Sequence, residues 1–236
     1  MRSPLSPFER RSGFTIVELM VVIGIIGVLL GITFPALRTF RMEAYNVNCQ
    51  SNLRQIGAVL QSYLNQNNDM LPMVEFLPAA TENGPVGGLP WALRGFLERT
   101  NECWCCPADH DETDSLATGT SYFYMPGLLR YTPSVQMRVQ QAMLPHYLDP
   151  TLSAEQRERL QEDMESRLVS AFYRQDGRRV PVLNDSVDRH PGTRIPRNAL
   201  FYDSSVGIST DFEEILEEGD DDIGDEICKL GGARSL

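Results

Sequence analysis

The sequence predicts an α+β protein in which one long N-terminal helix packs on a small antiparallel sheet that carries a helical insertion. Three observations lead to it. From Leu19 to Leu37 there are 19 residues without a charge. An apolar stripe at helical spacing then runs from Tyr45 to Tyr63. Beyond Met70 the chain turns rich in Pro, Gly and Asn, with short apolar stretches and one long polar helical stretch between them. A length of 236 residues suits one domain with appendages rather than two.

The uncharged run comes first. At about 1.5 Å per residue a helix of that length approaches the roughly 30 Å hydrocarbon core of a bilayer. A cleaved secretory signal, a plain anchor and a signal retained as an anchor all compete for it. Secretory signals have a shorter apolar core followed by a small-residue cleavage site. Here the chain continues after Ala36 as Leu-Arg-Thr-Phe-Arg. A plain anchor explains the length but not Glu18, a carboxylate beside an apolar helix where a charge costs about 2.5–3.5 kcal/mol on insertion scales. Glu18 therefore calls for a partner, or snorkels to the headgroups. Arg2, Arg10 and Arg11 outweigh Glu9 in residues 1–13, which holds the N-terminus in the cytoplasm and exports the rest. Gly27 and Pro35 predict a kink or local unwinding between them, against the alternative that such residues are simply tolerated in membrane helices.

The second half of the helix is amphipathic. Tyr45, Cys49, Leu53, Ile56, Leu60 and Tyr63 follow steps of three and four and present one face for covering. Asn65 to Asp69 is a break signal, and Pro72 forbids continuation. The predicted organisation is a leader over 1–13, a transmembrane helix over 14–37, its amphipathic continuation over 38–66, a head over 67–210 and a tail over 211–236.

The segment RRSGFTIVELMVVIGIIGVLLGITFPAL resembles the cleavage and methylation signal of type IV prepilins and type II secretion pseudopilins. That resemblance implies a pilin-like fold, cleavage by prepilin peptidase between Gly13 and Phe14, and methylation of the new Phe14 amine. Glu18 becomes the fifth residue of the mature chain, which in this family aligns an incoming subunit through its neighbour's amine. Gly27 and Pro35 occupy positions that match the family's helix interruption. The implied protein is a structural subunit and not an enzyme, single-pass in the inner membrane with a periplasmic head. Its implied partners are membrane lipid, other pilin-like subunits and an assembly platform. Further along, Asn48 to Gly57 resembles a subgroup common in planctomycete-type bacteria, which reads Cys-x-x-Asn-Leu-x-x-Ile-Gly here. The same subgroup places Cys-Pro-x-Asp before Ser-Tyr, matched by Cys106 to Asp109 and by Ser121-Tyr122, and a histidine before a strand ending in Asp-Gly. This chain keeps His190 and Asp203 but has Ser204 where the glycine is expected.

A net charge of -11 without a basic stripe excludes a nucleic-acid binder. Five cysteines are an odd number, and export makes disulfides permissible, with connectivity open. Cys103, Cys105, Cys106 and His110 fall within eight residues and are ligand types for zinc. Against that, no second ligand pair is evident, and a packing role explains the same residues. Cys49 reads as a small core residue. Asp220, Asp221, Asp222 and Asp225, in a stretch of ten acidic residues from Asp211 to Glu226, are calcium-ligand types that also suit a solvated tail. Major pseudopilins hold calcium in a late loop, so calcium is the one cofactor considered. His190 and Asp203 lack an accompanying Gly-x-Ser-x-Gly, so hydrolysis is not expected. Within the head, a strand is expected from Ser121 to Tyr124 and a hairpin around Asp203-Ser204-Ser205. The insertion over 134–174 has a Ser153 capping box and a stripe of Leu160, Met164, Leu168 and Phe172. The rival reading is a membrane-anchored periplasmic metal-binding or enzymatic module that uses the same anchor.

Overall fold

The computed structural model describes residues 14–82, 85–109, 118–178 and 180–209. Gly13, His110 and the acidic tail with Asp220, Asp221, Asp222 and Asp225 lie outside the described residues. The chain divides into two compact units, Met1–Arg41 and Met42–Leu236.

Helix α1 (Ile16–Gln66) has 51 residues, about 76 Å of rise. Through the first unit its apolar side chains are exposed, Ile16 at 78% and Ile32 at 71% among them. The helix is long and apolar enough to cross a membrane. It stays helical throughout the segment from Gly27 to Pro35, where local unwinding was one expectation. One missing N–H removes a single bond from a ladder that the neighbouring turns maintain. Thr33 Oγ1 adds a bond to Leu29 O at 2.7 Å.

In the second unit α1 has the predicted buried face. Cys49, Leu53, Ile56 and Leu60 are buried, Leu64 extends the row, and Tyr45 and Tyr63 flank it half-buried. The helix ends at Gln66, where Asn68 and Asp69 take left-handed backbone angles (φ 55° and 58°) and Asp69 N–H reaches back to Leu64 O at 2.9 Å. Asn and Asp tolerate that conformation better than most residues, so the predicted break signal has a physical basis.

The rest of the second unit alternates short helices with a four-stranded antiparallel sheet. Helix α2 (Gly88–Ala92) and a 3₁₀ turn (Glu102–Trp104) precede strand β1 (Tyr122–Tyr124). Then come α3 (Met125–Leu129), α4 (Pro133–Tyr147) and α5 (Ala154–Asp176), followed by β2 (Leu183–Asp185), β3 (Asn198–Leu200) and β4 (Val206–Ile208). The strands lie in chain order, β1-β2-β3-β4. Tyr122 pairs with Asp185, Leu183 with Leu200, and Leu200 with Val206. A meander in this order needs only one excursion, and the helices α3 to α5 make it between β1 and β2. The protein is thus pilin-like α+β, its N-terminal helix packed on the sheet through its second half and its extra helices inserted into the meander.

At Gly57 α1 lies close against the sheet, since a Cβ there would lie 2.9 Å from Leu200 Cδ1. The core joins the α1 face to Tyr122, Tyr124, Leu183, Leu200 and, from the loops, Leu71, Leu93 and Trp104. Helix α5 begins with the predicted capping box: Ser153 Oγ accepts from Gln156 N–H and the Gln156 side chain accepts from Ser153 N–H. Its buried face differs from the predicted stripe. Glu165, Ser166, Val169, Ser170, Phe172 and Tyr173 are buried, with Leu160, Met164 and Leu168 at the edge. Two serines face inward because they satisfy both backbone polar groups of one residue, Ser170 Oγ accepting from Leu71 N–H at 2.8 Å and Ser166 Oγ donating to Leu71 O at 2.9 Å.

Candidate functional site

Glu18 sits in the first turn of α1. Thr15 N–H and Thr15 Oγ1 both donate to Glu18 Oε2 at 2.8 Å, and Glu18 N–H donates to Thr15 Oγ1 at 3.2 Å. This reciprocal pattern is a capping box, readable in the sequence as Thr-x-x-Glu. The carboxylate therefore has partners within its own chain, at the end of the helix where free N–H groups and the helix dipole favour negative charge. Phe14, directly before Thr15, is exposed, so the expected cleavage bond adjoins an accessible residue.

A second constellation lies inside the head. Cys49 on α1, Cys106 after the 3₁₀ turn and His190 on the β2–β3 loop are all buried, and their ligand atoms lie within 4.8 Å of one another. Cys106 Sγ is 3.4 Å from His190 Nε2. Cys49 Sγ is 3.4 Å from the Tyr122 hydroxyl and 3.7 Å from Asp185 Oδ1. The other carboxylate oxygen, Asp185 Oδ2, accepts from Asn198 N–H at 2.8 Å, and Asn198 Nδ2 donates to Asn46 Oδ1 at 2.9 Å. Helix, sheet and loop thus each contribute polar groups to one buried point. Among the described residues His190 Nδ1 has no hydrogen-bond partner.

Electrostatics divide the two thiols. Cys106 is held well below the ordinary thiol range, chiefly by the hydrogen bond with Cys49 and also by His190. Cys49 is pushed up by the same hydrogen bond, by burial and by Asp185. One shared proton explains the opposite directions, since two adjacent thiols do not both ionise readily. Burial raises Asp185 to about 6.

The Cys-Pro-x-Asp segment is locked to the sheet from both ends. Cys106 N–H donates to Ser121 Oγ at 2.9 Å, and Ser121 Oγ donates to Asp109 Oδ2 at 2.6 Å. Asp109 forms a buried ion pair with Arg189, the neighbour of His190. The lock aims Cys106 and His190 at each other, which gives the spacing from Cys106 to Asp109 and the following Ser121 a geometric reason.

Of the described zinc candidates Cys103, Cys105 and Cys106, Cys106 is the one brought into this cluster. Cys103 is buried in the 3₁₀ turn, its thiol raised to about 11 mainly by burial. Cys105 is half-buried, and its carbonyl accepts from Asn52 Nδ2 at 3.1 Å. The four described cysteines are free thiols. His190 and Asp203, paired by sequence pattern, go separate ways. Asp203 sits in the β3–β4 turn, bonding Ser205 Oγ and Arg178. Cys49 was read as a small core residue and Asp185 was not read as a site residue; nothing local links the two, because they lie 136 residues apart in the chain.

Both thiols and the imidazole are almost inaccessible, with relative exposures of 0% at Cys49, 2% at Cys106 and 0% at His190. Such a site suits an ion or a structural bond better than an organic substrate. No curated protein and no solved structure matches the chain. Residues 9–34 match the family described as the prokaryotic N-terminal methylation motif, so this pilin-like chain carries a prepilin-type signal, which implies processing by prepilin peptidase.

Proposed function

We propose that the protein is a pseudopilin, a structural subunit cleaved between Gly13 and Phe14 and assembled through its N-terminal helix into a periplasmic filament of a type II secretion or type IV pilus-like system. The observation that carries this reading is the methylation motif over 9–34, together with α1, which begins at Ile16 and whose apolar side chains are exposed through the first unit. The basic residues Arg2, Arg10 and Arg11 support an N-terminus in the cytoplasm and a head in the periplasm, single-pass in the inner membrane. Other pilin-like subunits, lipid and an assembly platform are its partners, with no nucleic acid among them. The role needs no catalysis, and the chain is read as a non-enzyme. Its Asn48 to Gly57 and Cys106 to Tyr122 segments support a place in the planctomycete-type subgroup.

Mass spectrometry of the membrane-extracted protein should find a mature terminus at N-methylated Phe14, and a chain that keeps its leader would end the reading. The capping box sharpens the test of Glu18. Glutamine at the third helical position still completes a capping box, so Glu18→Gln should leave the helix start intact and remove only the charge. Inserted protein that no longer enters filaments is expected. Normal assembly of Glu18→Gln would reduce Glu18 to a helix cap.

A further inference from the structure

The buried Cys49–Cys106–His190 cluster is not needed for membrane anchoring or for polymerisation through α1. Its donors come from separate parts of the chain: α1, the loop after the 3₁₀ turn and the β2–β3 loop. Structural zinc sites take thiolate and imidazole ligands from separated segments, at about 2.3 Å for sulfur and 2.0–2.1 Å for nitrogen. Tetrahedral ligands at those lengths lie about 3.6 Å apart, by the bond lengths alone. Cys106 Sγ and His190 Nε2, at 3.4 Å, already stand at that separation. So do Cys49 Sγ and Asp185 Oδ1, at 3.7 Å.

We propose that Cys49, Cys106 and His190, whose donor atoms lie within 4.8 Å of one another, hold a zinc(II) ion inside the head, with Asp185 beside Cys49 as a neighbouring carboxylate. Two thiols and a neutral imidazole are a borderline-soft donor set that favours zinc over calcium or magnesium. Binding replaces the two thiol protons, which leave to solvent, by one divalent cation. The surroundings orient the ligands: Asn198 holds Asp185 Oδ2, Tyr122 lies against Cys49, and Ser121 fixes the Cys106 backbone. A Cys49–Cys106 disulfide is the rival. It engages two of the four groups and leaves a buried imidazole and a buried carboxylate facing a sulfur bridge. Zinc engages both sulfurs and the imidazole and ties α1 to the loop after the 3₁₀ turn and to the β2–β3 loop. Metal binding does not depend on polymerisation, so either reading can fail alone.

The test uses the full-length chain extracted in mild detergent without chelator. Metal analysis should find about one zinc per chain, and chelation should lower the thermal midpoint. After chelation and reduction, added cobalt(II) should give thiolate-to-cobalt charge transfer and the intense visible bands of a tetrahedral site. In Cys49→Ser and His190→Ala the occupancy should fall by more than roughly tenfold, while Cys105→Ser keeps it. The cobalt spectrum of the unsubstituted protein needs no variant, so a variant that fails to fold leaves the test standing. Two results would overturn the proposal. One is an intact mass lacking two hydrogens with a Cys49–Cys106 linked peptide and no metal uptake after reduction. The other is a cobalt spectrum undiminished in a folded His190→Ala.

Discussion

At the scale of single residues, Ser204 is the one whose chemistry departs most from its backbone. It sits in the β3–β4 turn at φ 64°, the left-handed region that favours glycine. The subgroup resemblance expects glycine at this position, and the geometry supplies the reason. Its hydroxyl is buried without a partner among the described residues. Ser204→Gly removes a left-handed cost of about 1–2 kcal/mol, offset by roughly 0.5–1 kcal/mol of glycine entropy, so a small net gain in stability is expected, and urea unfolding of the head measures it. The same scale shows why Glu18 was only half legible. Its cost in a membrane followed from the apolar run, whereas its Thr15 partner was overlooked although Thr-x-x-Glu is itself a local signature.

At the scale of elements, α1 and α5 give contrasting lessons. The stripe from Cys49 to Leu60 was legible because every member is apolar and the step is regular. On α5 the regular apolar row is split: Leu160, Met164 and Leu168 form the rim of the buried face, Phe172 lies within it, and Ser166 and Ser170 are buried beside it. Polar residues read as solvated until their partner is known, and that partner is the Leu71 backbone, far away in the chain. Removing the acceptor leaves a buried N–H unpaired, which costs about 1–3 kcal/mol. Ser170→Ala should lose that much in chemical denaturation, with Ser166→Ala similar or smaller. The candidate site was hidden for the same reason. Cys106 stood out beside Cys103 and Cys105, but its structural neighbours are Cys49 and His190, the latter 84 residues away, and only the folded sheet brings them together.

At the scale of the whole molecule, the division at Arg41 separates a helix stretch without protein cover from a unit with its own core. A chain beginning at Met42 should therefore be soluble without detergent and unfold in one cooperative transition, whereas the full chain partitions with membranes. Detergent-free gel filtration with thermal unfolding checks both, and aggregation of the shortened chain would show that the head needs its anchor to fold. The final hairpin around Asp203-Ser204-Ser205 was legible and joins β3 to β4, whereas the strand order was not, since three-residue strands carry little periodicity of their own.

The bond between Asn46 and Asn198 spans 152 residues, and it has a temporal meaning. Synthesis proceeds from the N-terminus at about 5–20 residues per second, so α1 waits roughly 8–30 s for the strand that covers it. During that interval Cys49, Leu53, Ile56 and Leu60 are a bare apolar ridge attached to a membrane-directed segment. Any fragment that stops short of β3 lacks Leu200 and leaves part of that ridge uncovered for good, which makes incomplete chains natural substrates for proteolytic quality control at the membrane.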